Sequence, residues 1–245
     1  MFPQIKGFVQ NSLLDWPGKI SSIIFLPGCN FRCPFCHAAH LVVRPNELES
    51  IPFESIERFL KERRGWIDGV IISGGEPTIS ADLPELVDAL RNLGFPVKLD
   101  TNGSNPEVLQ NLVKTGAIRA VSMDVKAPLD ERYARLAGVP VDLGAIRRSI
   151  DFLLSGAVSD YEFRTTVAQG LLDDDDILNI VRTLQGAKAY VLQNFQPVDC
   201  IDRKMIDHKT LDPEGLKELA ARAAAYVEHC WVRGFEEALP GAKTA

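Results

Sequence analysis

No stretch of the chain is apolar for more than a strand's length, and no run of Lys or Arg exceeds two residues. A membrane-spanning helix needs about 20 apolar residues, so no membrane partner is expected. A protein drawn to nucleic acid by charge normally shows a basic stripe. Here the formal net charge is −6, and no nucleic-acid partner is expected either. The start, Met1-Phe2-Pro3-Gln4-Ile5-Lys6, lacks a basic segment followed by an apolar one, so no signal peptide is read there. These absences point to the cytoplasm, where thiols stay reduced. Cysteine is scarce too: there are five, three of them within eight positions, with Cys200 and Cys230 far away. That is the distribution of a ligand set with two bystanders, not of a disulfide framework.

What is present is an alternation of short apolar runs and amphipathic helices. Ile20 to Leu26, Val70 to Ile72, Val97 to Leu99, Ala120 to Val125, Phe163 to Val167 and Tyr190 to Leu192 read as six strands. Between them, Leu83, Leu86, Val87, Leu90 and Leu93 fall on one helical face, as do Leu143, Ile146, Ile150 and Leu153 behind Asp142, a helix N-cap. The acidic run Asp173 to Asp176 precedes Ile177, Ile180, Val181 and Leu184 and reads as carboxylates at a helix N-terminus, in preference to a metal site. Repeated strand–helix units imply a parallel sheet with helices outside. The expectation is an α/β fold, a partial (β/α)6 TIM-like barrel in one domain over residues 1–245. Its core runs from about 18 to 200, followed by a helix from Pro213 to His229 and a short strand from Cys230 to Val232. In such folds chemistry sits at the carboxyl ends of the strands. The polar residues that a core does not need fall there: Cys29, Ser73-Gly74-Gly75-Glu76, Asp100-Thr101-Asn102-Gly103, and Asp124 with Lys126.

Cys29, Cys33 and Cys36 stand at C-x3-C-x2-C spacing. Three thiolates on one loop can wrap three irons of a cubane and leave the fourth iron without a protein ligand, which is what binding a small molecule at the cluster requires. Structural zinc would need a fourth ligand, recruited from Cys200 or Cys230. Gly74-Gly75-Glu76-Pro77 reads either as a turn or as a segment whose glycines admit a close backbone approach and whose carboxylate pairs with an ammonium.

The loop Cys29, Cys33, Phe35, Cys36 resembles the C-x3-C-x-aromatic-C of the radical-SAM superfamily, and Gly74-Gly75-Glu76-Pro77 resembles its G-G-E-P segment. The closer resemblance is to glycyl-radical-enzyme activating enzymes. Ser12-Leu13-Leu14-Asp15-Trp16-Pro17-Gly18 is similar to their S-x-x-D-G-P-G, with Trp16 in place of a glycine. Asp100-Thr101-Asn102-Gly103 is similar to D-T-N-G, Met123-Asp124-Val125-Lys126 to L-D-x-K, and Phe163-Arg164-Thr165-Thr166-Val167 to a strand bearing an arginine. Within that group the chain most resembles anaerobic ribonucleoside-triphosphate reductase activating proteins.

The resemblance implies a [4Fe–4S] cluster on Cys29, Cys33 and Cys36, with S-adenosylmethionine as the second cofactor. Phe35 would lie against its adenine, and Gly74, Gly75 and Glu76 would bind its amino group. Asp100, Thr101 and Asp124 would form a polar site able to take a monovalent cation beside the cofactor carboxylate, with Lys126 and Arg164 as catalytic cationic partners near that carboxylate or near the substrate glycine loop. No cysteine lies between Ala38 and Asp68, so a single cluster is expected. The implied partners are a glycyl-radical enzyme as protein substrate and flavodoxin or ferredoxin as electron donor. Two alternatives remain at this point: a radical-SAM enzyme acting on a small molecule such as a modified-nucleoside precursor, and a non-catalytic electron carrier.

Overall fold

The computed structural model of the chain describes residues 2–198, 200–208 and 212–234. Among the described residues eight strands follow one another in sequence order across a single sheet. They are β1 (Gly7–Ser12), β2 (Ser21–Leu26), β3 (Gly69–Gly74), β4 (Val97–Thr101), β5 (Ile118–Asp124), β6 (Asp160–Val167), β7 (Ala189–Asn194) and β8 (His229–Arg233). From β2 to β8 every neighbouring pair is parallel, and parallel neighbours need a crossover. The helices in those crossovers are α1 (Ala39–Val43), α2 (Phe53–Glu62), α3 (Leu83–Asn92), α4 (Pro106–Lys114), α5 (Glu131–Ala137), α6 (Leu143–Leu154), α7 (Asp174–Thr183) and α8 (Pro213–Ala223). A strand order that never reverses winds a twisted sheet toward a barrel. Among the described residues β1 and β8 do not pair, so the barrel is open.

The six expected strands are β2 to β7, and β8 covers the short strand expected at Cys230 to Val232. The additional strand is β1, antiparallel to β2 with a register shift between Val9 and Ser12. Its residues Val9, Gln10 and Asn11 are exposed, so it carries too little apolar patterning to be read as a strand. The last helix also ends earlier than expected, at Ala223, because residues 224–228 turn the chain back into β8. Asp173 and Asp176 form a reciprocal capping box at α7, satisfying backbone donors that a helix start leaves free. Asp142 does occupy the N-cap position of α6, but its side chain makes no capping hydrogen bond. Among the described residues no helix is long and apolar enough to cross a membrane.

Side chains alternate along each strand, and this sorts the chemistry. Val97, Leu99, Val121, Met123 and Phe163 join the helix residues Leu86, Leu90, Ile146 and Ile150 in the main core. Each such aliphatic, fully buried, contributes about 1.5–3 kcal/mol. Lys98, Ser122 and Glu162 take the alternate positions, inside the barrel, and are almost fully buried. Glu162 lies 3.6 Å from Lys98 and accepts from Ser122 Oγ at 2.7 Å and from Arg233 at 3.2 Å. Burial alone would raise the Glu162 pKa, but Lys98 and Arg233 pull it below its usual value. This layer ties β4, β5, β6 and β8 together below the strand ends. Beneath it Trp16 packs with Ile23, Ile71 and Ala120 as the floor of the barrel, its Nε1 donating to Asp160 at 3.0 Å. The residue that departs from the S-x-x-D-G-P-G pattern is therefore a plug. Facing it, Gly69 has no room for a Cβ, which would stand 2.5 Å from the indole.

Candidate active site

At the carboxyl end of β2, Pro27-Gly28 leads into the cysteine loop, whose backbone is pinned from four directions. Gly28 N donates to Leu41 O of α1, Arg32 N to Ala137 O at the end of α5, and Asp202 N to Pro34 O; Glu76 N donates to Gly28 O at 2.8 Å. Glycine is required where the strands meet this loop. A Cβ on Gly75 would stand 1.7 Å from Gly28 O, and one on Gly74, whose φ is +123°, 2.2 Å from Leu26 O. The Gly-Gly pair therefore lets β3 press its backbone against the approach to Cys29.

Above the strand ends lies a cavity of about 330 Å³, within the range of small-molecule sites. Cys29, Cys33, Phe35, Cys36, Gly74, Gly75, Asp100, Thr101, Asp124, Lys126 and Arg164 all line it. Glu76 is the sequence-selected residue that does not. It is 1% exposed and faces the protein. Its Oε1 accepts from Thr78 N at 3.1 Å, from the Thr78 hydroxyl, and from Thr101 Oγ1 at 2.8 Å; its Oε2 accepts from Asn102 N at 2.6 Å. Burial pushes its pKa up, and these donors hold it back. Thr101 is similarly engaged, since its hydroxyl also accepts from Gly103 N at 3.1 Å.

Two carboxylates and two cations form the charged wall. Arg164 Nε donates to Asp124 Oδ1 at 3.0 Å and Arg164 Nη1 to Asp100 Oδ2 at 3.3 Å, while Lys126 Nζ sits 3.2 Å from Asp124 Oδ2. Burial would raise the Asp124 carboxyl, but Arg164 and Lys126 draw it down to about 2. Burial would lower Lys126 and Arg164, yet Asp124 holds Lys126 above its usual value, and Asp100 and Asp124 hold Arg164 above its own. Asp100 Oδ2 also accepts from Ser73 Oγ, whereas its buried Oδ1 has no hydrogen-bond partner.

The cavity is also lined by Ser73 and Asn102, which the sequence marks only as members of polar strand-end segments, by His37, which follows the last cysteine of the loop, and by Thr166 and Gln193. Thr166 follows Arg164 by two positions on β6, and Gln193 pairs with it in register on β7, so strand alternation could have found both. His37 stacks on Phe195 with ring centroids 5.3 Å apart. Burial pulls the His37 pKa down, and its Nε2 is buried without a partner.

The donor set fits an iron–sulfur cluster. Burial pushes the thiol of Cys29 up to about 11 and that of Cys33 to about 12, and raises that of Cys36, with each sulfur within electrostatic reach of the others. Such thiols ionise when metal binds. Among the described residues no three His, Cys, Asp or Glu side chains converge on one point that would hold a single ion. A cubane gives each sulfur its own iron and needs no such point. In the same cavity the buried Asp100 Oδ1 has no hydrogen-bond partner within the protein, so an acceptor is free there for a bound group.

Over 236 residues the chain is 34% identical to a Methanocaldococcus jannaschii protein named "putative glycyl-radical enzyme activating enzyme", covering 94% of this chain and 95% of that one. It is 33% identical over 150 residues to a probable GTP 3',8-cyclase of Thermococcus kodakarensis, of whose length it spans 47%. In fold it resembles Streptococcus suis SuiB bound to S-adenosylmethionine, with TM-score 0.65 at 18% identity over 87% of this chain and 52% of that one. It likewise resembles a domain of a pyruvate-formate lyase-activating enzyme from Bacteroides vulgatus, with TM-score 0.54 at 16% identity over 68% and 99%. Residues 23–184, roughly two-thirds of the chain, match the family model of the Radical SAM superfamily, and the protein belongs to that family, whose enzymes work with a [4Fe–4S] cluster and S-adenosylmethionine.

Proposed function

We propose that this radical-SAM enzyme is an activase that generates a radical on a backbone glycine of a partner enzyme, of the anaerobic ribonucleoside-triphosphate reductase kind. The observation that carries the reading is the near full-length match to a protein named as an activating enzyme of glycyl-radical enzymes. A cluster held by Cys29, Cys33 and Cys36 would, when bound, supply the one-electron reduction that cleaves a carbon–sulfur bond of S-adenosylmethionine to methionine and a 5′-deoxyadenosyl radical, the species that would take a hydrogen atom from the glycine. The electron comes from flavodoxin or ferredoxin.

The residues of the chain bind, orient and shield. Cys29, Cys33 and Cys36 would hold three irons of the cluster. Phe35, 4% exposed, is a flat wall for the adenine. The amino-acid end of S-adenosylmethionine carries both an ammonium and a carboxylate. The unpartnered Asp100 Oδ1 can accept from the ammonium, and Lys126, with donors beyond its contact to Asp124, can receive the carboxylate. Asp100 and Asp124 also offer the oxygens for a monovalent cation, whereas the Thr101 hydroxyl is committed to Glu76. Glu76 acts by fixing the turn after β4.

Anaerobically reconstituted, dithionite-reduced protein should cleave S-adenosylmethionine to 5′-deoxyadenosine and methionine. Mixed with candidate glycyl-radical enzymes, it should produce a glycyl doublet by electron paramagnetic resonance. Cleavage with no doublet from any candidate, but turnover of a small molecule, would overturn the activase reading. No cleavage at all would overturn both.

A further inference from the structure

We propose that Asn102 is a positioning residue that aims its carboxamide N–H at the Cys29 sulfur and thereby sets how readily a cluster held there accepts an electron. The inference rests on the cluster reading above. Asn102 stands just past β4 and is 6% exposed. Its Nδ2 lies 3.9 Å from Cys29 Sγ and 2.9 Å from Asn30 Oδ1. Its Oδ1 accepts from Ser104 N at 2.9 Å, and its backbone N–H is held by Glu76 Oε2. These partners fix which end of the amide faces the loop: turned over, the carbonyl would meet Asn30 Oδ1 and the sulfur, and Ser104 N would lose its acceptor.

Cys29 also accepts from Phe31 N at 3.3 Å, and Cys36 from the backbone of Ala38. These donors belong to the loop itself and would accompany any such loop. Asn102 is different. It is a side chain from another strand end, whereas the donors to Cys29 and Cys36 just named are backbone groups of the loop. An N–H aimed at a thiolate ligand stabilises the more negative, reduced cluster, and hydrogen bonds to the sulfurs are among the terms that set its potential. The same amide also bonds Asn30, whose Nδ2 donates to Ser104 Oγ at 2.8 Å. A clasp between the two loops is therefore the competing role, and the test must separate it.

Asn102→Asp keeps the acceptor for Ser104 and the backbone bond to Glu76 but removes the donor. Asn102→Ala removes both side-chain ends, and Asn30→Ala breaks the clasp while leaving the donor on Cys29. The midpoint potential of the reconstituted cluster is read by redox titration with electron paramagnetic resonance, beside the iron content per chain. Both Asn102 variants should retain iron and shift the reduction equilibrium toward the oxidised form about three- to tenfold, where tenfold is ~59 mV for one electron. Asn30→Ala should match the wild type. Unchanged midpoints in both Asn102 variants would overturn the proposal. An equal shift in Asn30→Ala, or loss of iron in all three variants, would make Asn102 a clasp and overturn it too. A wild-type protein that takes up no cluster would instead overturn the functional reading on which it rests.

Discussion

Replacing Glu76 with Gln distinguishes a carboxylate that serves a ligand from one that serves the fold. Four donors converge on Glu76, and two of them, Thr78 N and Asn102 N, are backbone groups that cannot turn away. They address different oxygens, so the amide of Gln must present its NH2 to one of them. A buried N–H left without an acceptor costs about 1–3 kcal/mol. Loss of the charge adds nothing to this, because burial raises the Glu76 pKa and the fold does not favour the ionised form. For a chain of this size each kcal/mol moves the melting temperature by about 2–4 °C, so a fall on the order of 2–12 °C is expected. The assay is urea and thermal unfolding of cluster-free protein under thiol reductant and chelator, where no cofactor contributes. A variant within about 0.5 kcal/mol of wild type whose loaded form binds S-adenosylmethionine more than tenfold more weakly would refute the reasoning. Glu76 would then belong to the ligand.

Asp124→Asn should destabilise the cluster-free protein by about 2 kcal/mol, the worth of a carboxyl drawn from 3.8 to about 2. Because the folded value lies below the unfolded one, this contribution is complete above about pH 5 and is lost as the pH falls toward 2. The stabilities of wild type and variant should therefore converge in acid; a constant gap would contradict the assignment. Gly75→Ala puts a methyl 1.7 Å from Gly28 O, a backbone atom with nowhere to go. It should cost more than about 3 kcal/mol by overpacking and lower iron uptake, read by denaturation and iron assay. Cys29→Ala should abolish the cluster absorbance, whereas Cys200→Ala should leave iron content unchanged, because Cys200 is not among the cavity residues; iron loss in the latter would remake the ligand set.

Most of the fold was legible because β2 to β7 each carry two or more apolar residues that the main core buries, and period and burial agree there. β1 was not, since an edge strand needs to satisfy only one neighbour and its exposed Val9-Gln10-Asn11 face carries no burial signal. The end of α8 was missed for a different reason. Ala223-Ala224-Ala225 favours helix on propensity, and only the need to feed β8 beside β7 ends it.

Residue type separates chemistry from core far better than it separates one polar role from another. Asp100, Asp124 and Lys126 were legible as cavity residues because they put charge at the carboxyl ends of strands, where a core does not need it, and Arg164 only through the motif resemblance. The same criterion selected Glu76 and could not tell that its carboxylate points the other way. A carboxylate accepting backbone N–H groups and one accepting an ammonium look alike in a sequence. Asn102 failed in the opposite direction: it was marked only as one member of Asp-Thr-Asn-Gly at a strand end, and the sequence does not say which member of such a turn reaches a neighbouring loop. What distinguishes the two is where the turn sits. β3 can press on the cysteine loop because Gly74 and Gly75 lack side chains, and that approach brings Glu76 under the end of β4 and Asn102 beside Cys29. The glycines, the glutamate and the asparagine are thus one mechanical unit behind the first cysteine, and a change in any of them should register at Cys29 before it registers at Cys33 or Cys36.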